Sequence, residues 1–225
     1  MPIITIAREY GAGGTTIGRL VAERLGAVFV DRWLIEEVAR RAEMAPALVE
    51  SQDERPVRLL DRVITSFAQV PAAGLGWEPP YPDLASDPRP RVIQFTRAAI
   101  QEVAATGNAV IVGRGGSAIL QRRQDATHVF LYADATVRAD TVRERELVPI
   151  EVARRRVREV DANRAAYLRQ VHSLDWRSPL RYTLMLNTGA LGYERAAEVI
   201  LAAALHGQPS PAAASKAPAA SEAPR

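Results

Sequence analysis

The sequence contains no cysteine and a single lysine, Lys216. Without cysteine there is no disulfide, no thiolate metal site and no cysteine nucleophile. With one lysine, near the C-terminal end, any positive charge applied to a bound anion must come from arginine or from a metal. No apolar run approaches membrane-spanning length, and the chain opens directly on a strand with no signal-type segment. A cytoplasmic location with no membrane partner is therefore expected. The net charge is only +3, too little by itself to indicate a nucleic-acid partner. The three histidines, His128, His172 and His206, show no ligand spacing, so no zinc site or Ser-His-Asp arrangement can be assembled.

What is present is ordinary for a globular protein: 48% hydrophobic and 24% charged residues over 225 positions, enough for one domain with a small insertion. Short apolar runs at 3–7, 27–30, 109–112, 127–132 and 181–186 read as strands covered on both faces. They alternate with helical patterns at 15–25, 32–42, 56–70, 92–105, 136–147, 149–170 and 193–205. This order predicts an α/β fold with a mostly parallel sheet of about five strands flanked by helices. Gly107 suits a helix C-terminal cap, and Pro56 and Pro149 suit helix starts. Residues 71–90, rich in Pro, Gly and Asp, predict a long surface loop. Residues 207–225 are Ala, Pro and Ser with little to bury, and predict a disordered tail after a domain spanning 1–206.

The first strand runs into Arg8-Glu9-Tyr10-Gly11-Ala12-Gly13-Gly14-Thr15-Thr16 and then a helix with Ile17, Leu20, Val21 and Leu25 on one side. Strand, glycine turn and helix in that order place backbone N–H groups and a positive dipole end where a phosphate could sit. Set against G-x-x-x-x-G-K-[ST], the pattern has Arg8 at the first glycine, Gly13 at the second, Gly14 at the lysine and Thr15 at the hydroxyl. The same segment also reads as a plain glycine turn.

Three further groups carry chemistry. Gly113-Arg114-Gly115 follows the 109–112 strand, where an arginine faces the ligand crevice of an open α/β sheet or simply a solvated loop. A helix dense in arginine and acid holds Arg154, Arg158 and Asp161 toward one side, with Arg164 beyond. Such a row is either a solvated face of i,i+4 pairs or a clamp over phosphates. RNA binding is disfavoured by the interleaved acids. Asp31 closes the second strand, where capping of the next helix would also explain it.

Taken together, Arg8–Gly14, Phe29-Val30-Asp31, Val112-Gly113-Arg114-Gly115 and Arg158-Glu159-Val160-Asp161-Ala162-Asn163-Arg164 resemble the cytidylate kinase-like family of P-loop nucleoside monophosphate kinases. Asp175-Trp176, Tyr182 and Asn187-Thr188 resemble its closing strand and turn. The resemblance implies that ATP and Mg²⁺ are bound by Gly11, Ala12, Gly13, Gly14, Thr15 and Thr16, with Thr15 on the metal. It implies Asp31, Arg114 and Asp161 on the acceptor and Arg114, Arg158 and Arg164 in catalysis. It further implies a lid at about 144–158, an acceptor-side insertion at about 53–90, and nucleotides as partners of a monomer or weak homo-oligomer. The implied reaction moves the ATP γ-phosphoryl group to CMP or dCMP. The alternatives are a nucleotide-binding regulator that has lost catalysis and a P-loop kinase for another small acceptor. Two departures stand out: glycine at the lysine position, which is common in this branch, and Gly115 where cytidylate kinases carry aspartate; an arginine from the lid, or Arg8 beside the loop, could supply the charge the lysine would bring.

Overall fold

The computed structural model describes residues 2–31 and 90–206. The expected helices at 32–42 and 56–70, the loop at 71–89, nearly all of the 53–90 insertion and the tail at 207–225 lie outside the described residues. Strands β1 (Ile3–Arg8), β2 (Val28–Val30), β3 (Ala109–Val112), β4 (Ala126–Tyr132) and β5 (Leu184–Asn187) form one sheet. Their order is β2-β3-β1-β4-β5, and every neighbouring pair is parallel. Helices α1 (Gly14–Leu25), α2 (Pro90–Ala105), α3 (Gly116–Ile119), α4 (Ala135–Glu146), α5 (Ile150–His172), α6 (Thr188–Leu191) and α7 (Tyr193–His206) surround it.

The two-residue period of the strands sorts the core into two layers. Ile4, Ile6, Val110, Val112, Val129 and Leu131 pack with Ile17, Val21, Ala197 and Ile200 of α1 and α7. Ile3, Ala109 and Ile111 pack with Ile100, Val103 and Leu120 on the opposite face. Ile6 is 1% exposed, and truncating such a side chain to alanine costs about 2–5 kcal/mol. One polar pair lies within the sheet: Thr5 Oγ1 and His128 Nδ1, directly opposite in the β1–β4 register, are 2.7 Å apart.

Most element bounds agree with the periodicity to within two residues. The fifth strand differs. A 3-10 turn at Pro179–Arg181 precedes it, and pairing with β4 begins only where Val129 meets Leu184. The Tyr182 hydroxyl donates to the Trp176 carbonyl at 2.6 Å, which fixes the chain as a corner before it can enter the sheet. Helices α3 and α6, of four residues each, are too short to leave a periodic signal.

Central β1 is flanked by β3 on one side and β4 on the other, the switch point at which open α/β sheets open a crevice beyond the strand carboxyl ends. Ile6 pairs with Val112, so the turns after β1 and β3 emerge side by side. Over this edge lies the α4–α5 hairpin, whose own small core is Ala139, Val142, Ala153 and Val157.

Candidate active site

The turn after β1 is shaped by two glycines in the left-handed region, Gly11 (φ +83°) and Gly13 (φ +77°). Space demands glycine as well. A β-carbon on Gly11 would lie 2.6 Å from the Arg138 carbonyl oxygen, and one on Gly13 would lie 2.4 Å from the Tyr193 ring. Helix α1 starts at Gly14, with no side-chain cap and no acid in its first turn. The amides of Gly14, Thr15 and Thr16 therefore lack intrahelical acceptors and sit at the positive end of the dipole. They line a cavity that Arg145, Arg164 and Tyr193 close from the other side. Bare amides, close-approach glycines and a hydroxyl at Thr15 fit a phosphate chain with its metal. Ala12 differs from its neighbours: it is buried, and its carbonyl accepts from Thr188 Oγ1 at 3.1 Å, which fastens the turn to α6.

A buried ionic network holds this turn. Arg138 Nη1 meets Asp161 Oδ2 at 2.6 Å and donates to the Tyr10 carbonyl at 3.1 Å. Its Nε lies 3.2 Å from Glu9 and donates to the Ala133 carbonyl at 2.9 Å. Arg177 Nη2 donates to Glu9 at 2.8 Å, and the Tyr10 amide donates to Asp161 Oδ1 at 2.8 Å. Arg138, Glu9 and Asp161, all buried, persist as charged groups only because they are mutually hydrogen-bonded, while Arg177 reaches Glu9 from the surface. On the outer side, Glu146 accepts from the Tyr10 hydroxyl at 2.5 Å and from Arg145 at 2.7 Å, and pairs with Arg156. Burial would raise the Glu146 carboxyl, but the bonds from Tyr10, Arg145 and Arg156 together hold it below its ordinary range.

The turn after β3 is tighter still: Gly113, Arg114 and Gly115 have φ of +86°, +50° and +70°. For Arg114 this conformation costs on the order of 1–3 kcal/mol, a strain typical of ligand sites. Arg114 lines a second cavity with Arg8, Arg164, Tyr167 and Trp176. Burial raises the Tyr167 hydroxyl, and the charge of Arg114 together with its hydrogen bond to the phenol opposes that rise. Gly115 is constrained by more than its φ, since a β-carbon there would lie 2.5 Å from His172 Nε2. An aspartate in this turn would have to displace the His172 ring.

Of the other expected residues, Arg164 lines both cavities, and its Nη1 donates to the Arg8 carbonyl at 3.0 Å. Arg158 does not join it. The two lie three residues either side of Asp161, so they point about 120° apart around α5. Arg158 is exposed and lines neither cavity, and Arg154 pairs with Glu151 on the same outer face. Both carboxylate oxygens of Asp161 are engaged, one by the Tyr10 amide and one by Arg138. Asp31 lies half-buried just past β2 and lines neither cavity. Sequence reasoning gave no role to Glu9, Arg138 or Arg177. An acid directly after a fully buried strand is the signal that would have found them, since such a charge requires partners.

The sequence matches the model of the cytidylate kinase-like family over residues 3–190. No curated protein sequence matches it. Among solved structures, an uncharacterized protein from Eubacterium ventriosum ATCC 27560 aligns with a TM-score of 0.66 and 20% identity, over 92% of this chain and 99% of that one. A shikimate kinase from Bacteroides thetaiotaomicron aligns with a TM-score of 0.46 and 14% identity, over 89% and 94%, too distant to bear on the reaction. The family match takes in both glycine turns and the arginine helix that joins them, and with the five-stranded parallel sheet behind them the chain belongs to the cytidylate kinase-like family.

Proposed function

We propose that this protein transfers the γ-phosphoryl group of ATP to the phosphate of a pyrimidine nucleoside monophosphate, CMP or dCMP. One observation carries the reading: two cavities, one floored by helix-start amides and one edged by Arg114, share a wall made of Arg8 and Arg164. Two anionic groups bound one in each cavity would meet at that wall. The amides of Gly13, Gly14, Thr15 and Thr16 and the Thr15 hydroxyl would hold ATP and magnesium, which supply the transferable phosphoryl group and a divalent countercharge. Arg114 would hold the acceptor phosphate. Arg164 would offset charge that builds up between donor and acceptor. Val160, Leu168 and Trp176 line the acceptor side and keep water from competing for the phosphoryl group. No covalent enzyme intermediate is required, because phosphoryl transfer is mainly positioning and charge stabilisation.

The acceptor preference rests on family membership, and a direct test separates it from the alternatives. ADP formation is followed with ATP and Mg²⁺ against CMP, dCMP, UMP and AMP. Turnover on CMP or dCMP well above AMP is expected. Tight ATP binding without turnover on any acceptor would mean a nucleotide-binding regulator instead. Arg114→Ala should raise the acceptor KM and lower kcat, and an unchanged profile would remove Arg114 from the site.

A further inference from the structure

The lysine of a P-loop is replaced here by Gly14, and the space next to Gly14 is filled. A β-carbon on Gly14 would lie 2.5 Å from Arg8 Cγ and 3.0 Å from Arg8 Cδ. Further along the same side chain, Arg8 Nη1 sits 2.0 Å from the position of a β-carbon on Gly113. The Arg8 stem therefore lies across the first residue of α1, and its guanidinium lies against the turn that carries Arg114. The side chain spans from the ATP-side loop to the acceptor-side loop and lines both cavities. Its residue is only 7% exposed, so its charge acts in a medium of low effective dielectric, where it counts for more than in water.

Arg8 thus accounts for Gly14, while Gly113 is required by its φ of +86° as well as by the guanidinium beside it. Gly14 leaves room for the Arg8 stem, and Gly113 leaves room for its guanidinium. The cation enters from the last residue of β1 rather than from the first turn of α1, six positions earlier in the chain, and reaches the junction of the two cavities. The anchoring is rigid on one side, since β1 is the central strand, and Arg164 holds the Arg8 carbonyl from above.

We propose that Arg8 is a catalytic residue that places on the transferring phosphoryl group the charge a P-loop lysine would supply, and that Arg8 and a lysine at position 14 are mutually exclusive. The proposal rests on the phosphotransfer reading above and adds to it the identity of the cation.

The test uses the full chain with Arg8→Met, Gly14→Lys and the pair Arg8→Ala/Gly14→Lys. Arg8→Met keeps a stem of similar length without charge. It should lower kcat by about 10³-fold or more, with less than a tenfold change in acceptor KM. It should also abolish any preference for ATP over ADP measured by equilibrium binding. Gly14→Lys alone should lower Tm by about 4 °C or more through overpacking. Adding Arg8→Ala should remove most of that loss and raise kcat at least tenfold above Arg8→Met.

The outcomes separate cleanly. Wild-type turnover on CMP with Arg8→Met retaining kcat within about threefold overturns the Arg8 assignment and leaves the reaction standing. Wild-type ATP binding with no turnover, but with an ATP preference that Arg8→Met abolishes, removes the reaction and leaves Arg8 at the γ-phosphate. If Arg8→Met fails to fold, the paired variant decides: a folded pair that recovers activity supports the exchange, and a folded pair that recovers none overturns it. Equal Tm losses for Gly14→Lys with and without Arg8 overturn mutual exclusivity.

Discussion

Asp161 is shared between a helix and a loop: one carboxylate oxygen lies 2.6 Å from Arg138 Nη1 and the other accepts the Tyr10 amide at 2.8 Å. The phosphate loop is thereby clamped to the α4–α5 hairpin at the point where β1 gives way to glycine. Asp161→Ala would leave a buried guanidinium and a buried N–H without this acceptor, a loss of about 3–5 kcal/mol. Asp161→Asn keeps an oxygen for the Tyr10 amide and should cost distinctly less. Urea unfolding of the two variants measures the difference, and equal values would show that the amide bond contributes nothing.

Gly115 and His172 form a second constraint. Gly115→Ala should lower stability by more than 1 kcal/mol, because alanine is strained at φ +70° and its methyl group meets His172 Nε2. Gly115→Asp should be worse, since a buried carboxylate is added to the same clash. Combining Gly115→Ala with His172→Ala should recover the steric part and leave the backbone part. Thermal melts of the three variants separate the two contributions, and a double variant no more stable than Gly115→Ala would exclude the contact as a cause.

Acid should weaken the fold below neutrality. Burial lowers His128 from its ordinary value of 6.5, and burial followed by the charge of Arg97 lowers His172 from the same value. The unfolded chain therefore binds more protons than the folded one in that range. The stability contributed by these neutral imidazoles is present above pH 6.5 and is lost as pH falls through their depressed folded values. Guanidinium unfolding at pH 8 and at pH 5.5 should show lower stability at pH 5.5. His128→Gln should flatten part of the slope, and stability that rises on acidification would contradict the assignment.

Glu146 ties the hairpin to the phosphate loop through Tyr10. Glu146→Ala removes the acceptor for Tyr10, Arg145 and Arg156 together. A loss of about 1–3 kcal/mol is expected for hydrogen bonds to a charged group. ATP affinity should fall as well, since Arg145 and Tyr10 both line the loop cavity. Calorimetric titration against ATP is the check, and Tyr10→Phe should reproduce a fraction of the effect.

The central strands were legible because β1, β3 and β4 are apolar runs ending in turn residues, and burial on both faces is a local property of such a run, whereas the edge strand β5, only partly buried, was placed three residues early. The glycine loop was legible for the same kind of reason: Gly11 and Gly13 meet a backbone requirement visible in a few adjacent positions. The roles of the charged residues were not. Arg154, Arg158, Asp161 and Arg164 look equivalent in a mixed-charge helix, and only packing against β1 turns Arg164 inward, Asp161 onto Arg138 and Arg158 to solvent. Arg8 was legible only as one candidate for the missing charge beside the lid arginines. Its meaning depends on Gly113, more than a hundred residues away, which strand order alone brings alongside.

The central position of β1 has a dynamic consequence. Its amides are bonded within a sheet that extends two strands to either side, so deuterium should enter them last of all, on the timescale of whole-molecule unfolding. The hairpin overhead has a smaller apolar core, Ala139, Val142, Ala153 and Val157 with Tyr10, Val148 and Ile150 at its margin, and should admit deuterium sooner. Tyr10, whose amide, carbonyl and hydroxyl are all bonded to that hairpin, should follow its exchange rather than that of β1, which places the boundary between slow and fast exchange at the step from Arg8 to Tyr10.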